Sequence, residues 1–245
     1  MKQVTTRWTY PQAIENQINR NLSVAVTELV SAMKDSATRL KIDSAEELEQ
    51  EDGYLDTIIA ALLASVVSTL PAIGAAIYRQ NSARFLVLAI KTGGKSSPSV
   101  LDLKVNGING NESWYRDEMS QWIFTTRKSA SKLLNNIKDD FIQTASQIQT
   151  GDHVNLADKY KIYRKRTANI ASGITASLNS TLMRRRLEDA GVSEYIWHGM
   201  LDDRERLSHI AREGKSFSLN STDIFPGQEY GCRCWAVPDW ESAKE

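Results

Sequence analysis

Apolar residues recur at helical spacing over most of the first 190 residues of the chain. In the first stretch they fall every three or four positions, at Ile14, Ile18, Leu22, Ala25, Leu29 and Met33. This spacing is typical of one buried face of an α-helix, and Pro11 suits a first turn, so a helix is predicted over residues 11–40. Asp43 or Ser44 would cap a second helix, whose first-turn acids are favoured by the helix dipole.

The pattern between residues 81 and 190 predicts two more long helices after a mixed region. Residues 81–91 are apolar and predict a helix or a strand, and the Gly, Ser and Pro of residues 92–99 predict a loop. Alternation over Val100–Val105 predicts a short strand, which ends in Asn-Gly turn chemistry. Helical spacing then returns and predicts helices over residues 112–149 and 155–190.

Thr57–Tyr78 is a run of 22 residues without a charged side chain. A helix needs about 20 apolar residues to span a bilayer, so one interpretation is a membrane-active segment. The other is a buried pair of helices broken near Pro71, because proline removes a helix hydrogen bond. The many Ala, Ser and Thr residues make the run only modestly apolar, which favours the buried pair.

Charge is balanced over the whole chain but unevenly distributed along it. There are 30 basic and 30 acidic residues, so net charge does not point to nucleic acid, yet residues 159–186 hold eight bases and no acid. Such cations can neutralise phosphates, and the interleaved Tyr160 and Tyr163 can stack on bases. The alternative is a solvated helical face or a docking surface for an acidic partner. The candidate nucleic-acid contacts are Lys159, Lys161, Arg164, Lys165, Arg166, Arg184, Arg185 and Arg186.

The last fifty residues contain both cysteines and two of the three histidines. Cys232 and Cys234 are separated by one residue, which is not the disulfide framework of a secreted protein. The N-terminal residues lack the apolar segment of a signal peptide, so synthesis in the cytoplasm is expected. If residues 202–209 are helical, Asp202, Arg206 and His209 lie on one face, with the acid and the guanidinium close enough to pair.

Three chemistries could use this C-terminal cluster. Zinc takes thiolate and imidazole, so Cys232, Cys234, His209 and Asp202 are candidate ligands, although a one-residue gap is tighter than in common zinc knuckles. A cysteine activated by His209 and oriented by Asp202 would make a hydrolase or transferase, but no oxyanion hole is evident. The favoured interpretation is structural, with arginines paired to carboxylates, His209 donating to a backbone carbonyl and the thiols buried as small hydrophobes.

The same segment resembles a known family of phage proteins. The residues that carry the resemblance are, in order, Gly191, Val192, Tyr195, Trp197, Asp202, Arg204, Arg206, His209, Gly214, Lys215, Phe217, Pro226, Gly227, Cys232, Arg233 and Cys234. This ordered set is similar to the phage Mu F-like minor head protein family, also called the phage head-morphogenesis family. The resemblance is closest over residues 166–238 and looser over residues 77–166. In that family a proline and a histidine or asparagine often precede the first cysteine, whereas here the approach is Glu229-Tyr230-Gly231, so one polar ligand or contact is missing.

The resemblance implies a structural role in the phage head. Proteins of this family act in head morphogenesis and are implicated in genome delivery, so the expected location is the virion, near the portal vertex. The expected partners are the portal protein, packaged double-stranded DNA, sister copies or other head proteins, and a host membrane if residues 57–78 are membrane-active. No catalytic residue is expected on this interpretation, and zinc is the one candidate cofactor.

Together these patterns predict a mainly α fold. An elongated helical region over residues 1–155 would serve portal binding and self-association. A small α+β module over residues 156–245, entered through the basic helix, would be the Mu F-like part. The alternatives are a Cys/His enzyme using Asp202, His209 and Cys232, and a membrane-active ejection protein built on residues 57–78.

Overall fold

The computed structural model describes residues 8–39, 45–94, 98–106, 112–149 and 156–243. The helices are α1 (Gln12–Arg39), α2 (Ala45–Gly93), α3 (Pro98–Asn106), α4 (Tyr115–Gln149), α5 (Leu156–Asp189) and the short α6 (Leu207–Ile210). Three strands, β1 (Glu194–His198), β2 (Ser216–Ser218) and β3 (Trp235–Pro238), precede a 3-10 turn at Trp240–Ser242. The prediction of a mainly α chain with a small C-terminal sheet is therefore confirmed.

The long helices begin and end close to the predicted positions, but the strand predicted over Val100–Val105 is wrong. These residues lie in α3, where Val100 is buried while Leu101 and Val105 are exposed, which is not a two-residue period. Pro98 occupies the first helical position, where its missing N–H costs nothing. The predicted cap at residues 43–44 and the Asn-Gly turn at residues 107–111 lie outside the described residues.

Helix α2 continues through Pro71, so the predicted break there is also wrong. In its first half one face is buried, at Leu55, Ile59, Leu62, Val66 and Leu70. Exposed positions of the uncharged run are occupied by small residues such as Ala60, Ala64 and Ser68. Among the described residues, Glu49–Gly93 is the helix that is long and apolar enough to cross a membrane. Its most apolar stretch has a mean hydropathy of 2.1, and 33% of that stretch is buried. Small exposed residues thus explain how a packed helix can lack charge over this length.

The chain forms two compact units, each assembled from separate segments. One comprises Met1–Ile14, Ala72–Trp122 and Ser172–Glu245, and the other comprises Glu15–Pro71 and Ile123–Ala171. This interleaved division differs from a single boundary near residue 155.

The first unit contains a core that joins helices to the small sheet. The helix residues Phe85, Leu88, Met183 and Leu187 are buried in one cluster with residues of β1 and β3. Phe217 of β2 is partly buried and packs against this cluster. The central strand β1 pairs antiparallel with β2 and with β3. Its inward residues Tyr195 and Trp197 are buried, and every residue of β3 is buried. The sheet therefore provides a rigid base for the loops between β1 and β3.

The second unit is held by helix packing and by polar contacts between helices. Lys138 of α4 lies 2.8 Å from Asp52 and 2.6 Å from Asp56 of α2. Tyr163 of α5 is buried and donates its hydroxyl to Asp140 at 3.0 Å. Buried polar groups are usually paired in this way, because an unpaired one costs desolvation energy.

Candidate metal centre

The chain between β1 and β2 forms a loop and one short helix in place of the helix predicted over residues 202–209. Leu201 has a φ of 53°, and Glu205 N–H donates to the Asp202 carbonyl in a tight turn. Arg206 is extended at φ −71° and ψ 142°, so helix α6 begins only at Leu207. Asp202, Arg206 and His209 therefore do not share a helix face, and Asp202 does not pair with Arg206.

Asp202 binds Arg233, and this removes it from the predicted ligand set. Both carboxylate oxygens of Asp202 lie 2.7 Å from the same guanidinium nitrogen of Arg233. The backbone N–H of Arg204 also donates to the Asp202 carboxylate, at 3.1 Å. Slight burial acts to raise the pKa of Asp202, but the hydrogen bonds and charges of Arg233 and Arg204 outweigh it and hold the pKa below its ordinary value. Asp202 is thus a surface ion-pair partner and not a member of the thiol cluster.

His209 is buried on α6 and is fixed on both sides of its ring. Its Nε2 lies 2.8 Å from the Glu229 carboxylate, and the ring packs edge-on against Trp197 at 5.2 Å between centroids. Its Nδ1 lies 3.4 Å from Cys232 Sγ and 3.5 Å from Cys234 Sγ. The predicted bond from His209 to a backbone carbonyl is therefore replaced by a bond to a carboxylate.

The two thiols reach the same imidazole because the residue between them points elsewhere. The side chain of Arg233 binds Asp202, whereas Cys232 and Cys234 both approach His209. Side chains two residues apart point to the same side in this way along an extended backbone. Both cysteines are free and buried. Ligand atoms of His209, Cys232 and Cys234 all lie within 4.8 Å of one another. The structure thus brings together three of the four predicted ligands.

The two thiols have very different acidities. A hydrogen bond from Cys234 lowers the pKa of Cys232 to about 6, against the effect of burial, with help from the backbone N–H groups of Cys234 and Gly227 and from His209. The same thiol pair, together with burial and the charge of Glu205, raises the pKa of Cys234. Cys232 is therefore the more acidic of the two thiols.

Glu205, and not Asp202, is the carboxylate that contacts the thiol cluster. Its Oε1 lies 3.1 Å from Cys234 Sγ, and its other oxygen accepts the Leu201 N–H. A side chain at Gly199 would overlap this carboxylate, so the glycine provides the room for it. Sequence spacing does not point to Glu205, because its approach to Cys234 depends on the turn in which the Leu201 N–H donates to it.

The cluster faces a small pocket of ≈ 20 Å³ that is lined by Glu205, His209, both cysteines and three arginines, namely Arg204, Arg206 and Arg233. That volume holds about one water molecule or ion. The pocket therefore has room for an ion beside the cluster.

The remaining residues of the predicted structural cluster contact the residues that surround the pocket. Arg206 donates to the Tyr230 carbonyl at 2.7 Å and lies 3.6 Å from Glu229. Gly214 has a φ of 72°, which glycine adopts readily, and its N–H donates to the Trp197 carbonyl. Phe217 packs against Trp197, and the guanidinium of Arg212, which the sequence did not single out, lies over both rings at 5.1 and 5.3 Å.

The predicted nucleic-acid contacts differ in their exposure. Lys161, Arg164, Lys165 and Arg166 are exposed, and Arg166 also lies 3.9 Å from Asp140, whereas Lys159 bonds to Thr144.

The arginines near the end of α5 are engaged with acidic side chains. Arg184 and Arg185 both pair with Glu188, and Arg185 also pairs with Glu118. Arg186 is buried and bonded to Asn81 and Ser82, so its prediction as a phosphate contact is wrong. Tyr163 is likewise buried, which removes it as a base-stacking residue.

Comparison with known proteins supports the resemblance seen in the sequence. Residues 128–237 match the family model described as Phage Mu protein F like protein, which supports the predicted family over that part of the chain. A Haemophilus influenzae protein (strain ATCC 51907 / DSM 11121 / KW20 / Rd), described as uncharacterized, is 28% identical over 151 residues. That alignment covers 59% of this chain and 31% of the relative, so the chain spans about a third of the length of the curated relative it matches. No solved structure matches the chain.

Proposed function

We propose that this chain, which carries a Mu F-like segment over residues 128–237, is a structural minor head protein of a tailed phage. The family match is the observation that carries the proposal. It includes both cysteines, His209 and almost all of the small sheet. The motif residues support a structural role because they bind each other: Asp202 binds Arg233, and His209 binds Glu229.

The proposed mechanism is binding. The helices would dock on the portal protein or on sister copies, and the exposed cations at residues 161–166 would contact packaged DNA through phosphate charge. The location would be the virion, near the portal vertex, after synthesis in the host cytoplasm. A role in genome delivery would follow if the long apolar helix α2 meets the host membrane.

Deletion of the gene in its phage, with complementation by a tagged copy, tests this function. Particles are purified on a density gradient, and the tag is followed by immunoblot. The tagged chain should sediment with DNA-filled heads, and the deletion should reduce the number of filled, infectious particles. A chain that stays in the soluble fraction, with unchanged particle yield, would contradict the proposal. An unrelated tagged cytoplasmic protein of similar mass serves as the carry-over control.

A cysteine-dependent enzyme is the second candidate, and one contact favours it. Cys232 Sγ lies 3.4 Å from Nδ1 of His209, and its pKa is lowered to about 6. The small pocket and the 4% exposure of both cysteines argue against access for a substrate. Combined Cys232→Ser and His209→Ala substitutions distinguish the two functions: normal heads that lose a measurable hydrolytic or transfer activity would support the enzyme.

A further inference from the structure

We infer that His209, Cys232, Cys234 and Glu205 form a binding site for one Zn²⁺ ion. The ligand atoms would be Nδ1 of His209, both Sγ atoms and a carboxylate oxygen of Glu205. This inference goes beyond the proposed function and does not depend on it. It changes the predicted set by exchanging Asp202, which binds Arg233, for Glu205.

The hydrogen bond between His209 and Glu229 prepares the imidazole for a metal. An ionised carboxylate only accepts hydrogen bonds, so at 2.8 Å from Glu229 the Nε2 atom carries the ring proton. In the neutral ring Nδ1 is then left with a lone pair, and Nδ1 faces the two thiols. Metal-binding histidines are commonly held in this way by a carboxylate on the other ring nitrogen.

The distances fit a tetrahedral zinc site. Zn–S bonds of about 2.3 Å and Zn–N bonds of about 2.0–2.1 Å, at a tetrahedral angle, separate nitrogen and sulfur by about 3.6 Å. The two observed separations are 3.4 and 3.5 Å. Glu205 Oε1 accepts from Cys234 Sγ at 3.1 Å, which makes this carboxylate the nearest candidate for a fourth ligand beside the three-residue cluster. All ligand atoms of His209 and the cysteines lie within 4.8 Å of one another.

Within the protein, each thiol has a hydrogen-bond partner, because Cys234 Sγ donates to Glu205 and Cys232 Sγ lies within reach of Nδ1. The second sulfur nevertheless lies only 3.5 Å from the same Nδ1 atom, so all three donor atoms face one point. The Glu205 carboxylate, also an acceptor, lies beside Cys234. A cation at the centre would be shared by all four donors, and the pocket of ≈ 20 Å³ provides the space.

The charge around the pocket suits the complex that zinc would form. Two thiolates, one carboxylate and Zn²⁺ carry a net charge of one negative unit. Arg204, Arg206 and Arg233 line the same pocket and would offset that charge. Binding would release the thiol protons to solvent, because the ligands must be deprotonated.

Four protein ligands indicate a structural zinc site and not a catalytic one, which would keep a position open for water. The ligands come from the loop after β1, from α6 and from the segment before β3. Zinc would therefore fasten together three short segments that contain little regular secondary structure.

The test uses the whole chain, expressed in zinc-supplemented medium with a tag that lacks histidine, and elemental analysis after gel filtration. We expect one equivalent of zinc in the wild type and loss of zinc in Cys232→Ser, Cys234→Ser and His209→Ala. Glu229→Gln, which weakens the bond that orients the imidazole and also removes the ion pair with Arg206, should weaken zinc binding by about 10- to 100-fold. Asp202→Asn is the matched control and should keep the full equivalent.

Cobalt keeps the proposal testable if the cysteine variants fail to fold. Co²⁺ added to zinc-stripped wild-type protein should give the intense visible bands of a tetrahedral thiolate site and a sulfur-to-cobalt band in the near ultraviolet. Wild-type protein that contains no zinc and gives no such spectrum would overturn the site. Loss of zinc in Asp202→Asn as complete as in Cys232→Ser would overturn the ligand assignment.

Discussion

Arg186 and Glu112 form a buried ion pair in the first unit, with 3.6 Å between Nη2 and Oε1 and side chains only 1% and 2% exposed. The guanidinium also donates to Asn81 and Ser82 and lies 5.1 Å from the centre of the Tyr78 ring. Burial lowers the pKa of Arg186, and the charge of Glu112 acts in the opposite direction. A residue from the most basic run in the sequence thus serves the interior of the protein.

Arg186→Met should destabilise the protein strongly. Removing one partner of a buried pair leaves an uncompensated charge on Glu112, which costs about 3–5 kcal/mol. Arg185→Met is the neighbouring control, and loss of its half-exposed pairs should cost no more than about 1 kcal/mol. Urea titration of both variants gives the free energies of unfolding. Equal values for the two substitutions would contradict the buried pair.

Two glycines of α2 should respond in opposite directions to alanine. A Cβ at Gly74 would overlap Met119 and Trp122, whereas a Cβ at Gly53 would meet nothing within 4 Å. Gly53→Ala should therefore stabilise by about 0.5–1 kcal/mol, the usual gain inside a helix. Gly74→Ala should cost about 1–3 kcal/mol, because an overpacked core must shift.

Thermal unfolding of the two alanine variants, side by side with wild type, measures the difference. A Met119→Ala substitution added to Gly74→Ala should recover part of the loss by making room. If both glycine variants raise the melting temperature, the close packing of Gly74 against α4 is not present in solution.

Helical periodicity accounts for what could be predicted from the sequence. It located α1, α4 and α5, because apolar faces repeat every three or four residues over many turns. The same periodicity could have revealed Arg186, which falls four residues after Leu182 and four before Ala190 on a buried face. Its charge suggested a surface residue, and only the tertiary partners Glu112 and Asn81 make burial tolerable.

The candidate metal centre was predicted in part, since local pattern does not determine loop geometry. The ordered motif identified His209, Cys232 and Cys234, but the choice between Asp202 and Glu205 depends on the backbone at Leu201, whose φ is 53°. A helix assumed over residues 202–209 pointed to the wrong carboxylate. The approach Glu229-Tyr230-Gly231, in which one polar ligand or contact was expected to be missing, still supplies a polar contact, because Glu229 binds His209.

Lys138→Met should destabilise the second unit, with a characteristic pH dependence. The ammonium bridges Asp52 and Asp56, and hydrogen bonds to charged groups are each worth about 1.5–3 kcal/mol. Burial acts to lower the pKa of Lys138, and the two carboxylates outweigh it and raise the pKa above 10.5. A lysine whose pKa is raised by folding adds stability at pH values below its pKa in the unfolded chain, which is about 10.4. That stability is lost as the pH rises through the pKa of the lysine in the folded protein.

The stability difference between wild type and Lys138→Met should therefore be constant between neutral pH and about pH 10, and shrink above that. Urea titrations across this pH range measure it. Lys132→Met, on the same helix, is the control and should show a small difference without the alkaline decline. A difference that grows above pH 10 would contradict the bridge.

Arg164→Ala with Lys165→Ala should weaken binding to double-stranded DNA, if the exposed cations of α5 contact phosphate as proposed. Each phosphate contact that is lost should reduce the slope of log affinity against log salt by about one. Gel shifts with unrelated duplexes at several salt concentrations give both quantities. The matched control is Arg184→Ala with Arg185→Ala, which removes the same charge from residues already paired to Glu188. A wild-type chain that shifts no duplex at low salt would contradict DNA contact, and equal losses in both double variants would show that net charge, not this surface, is responsible.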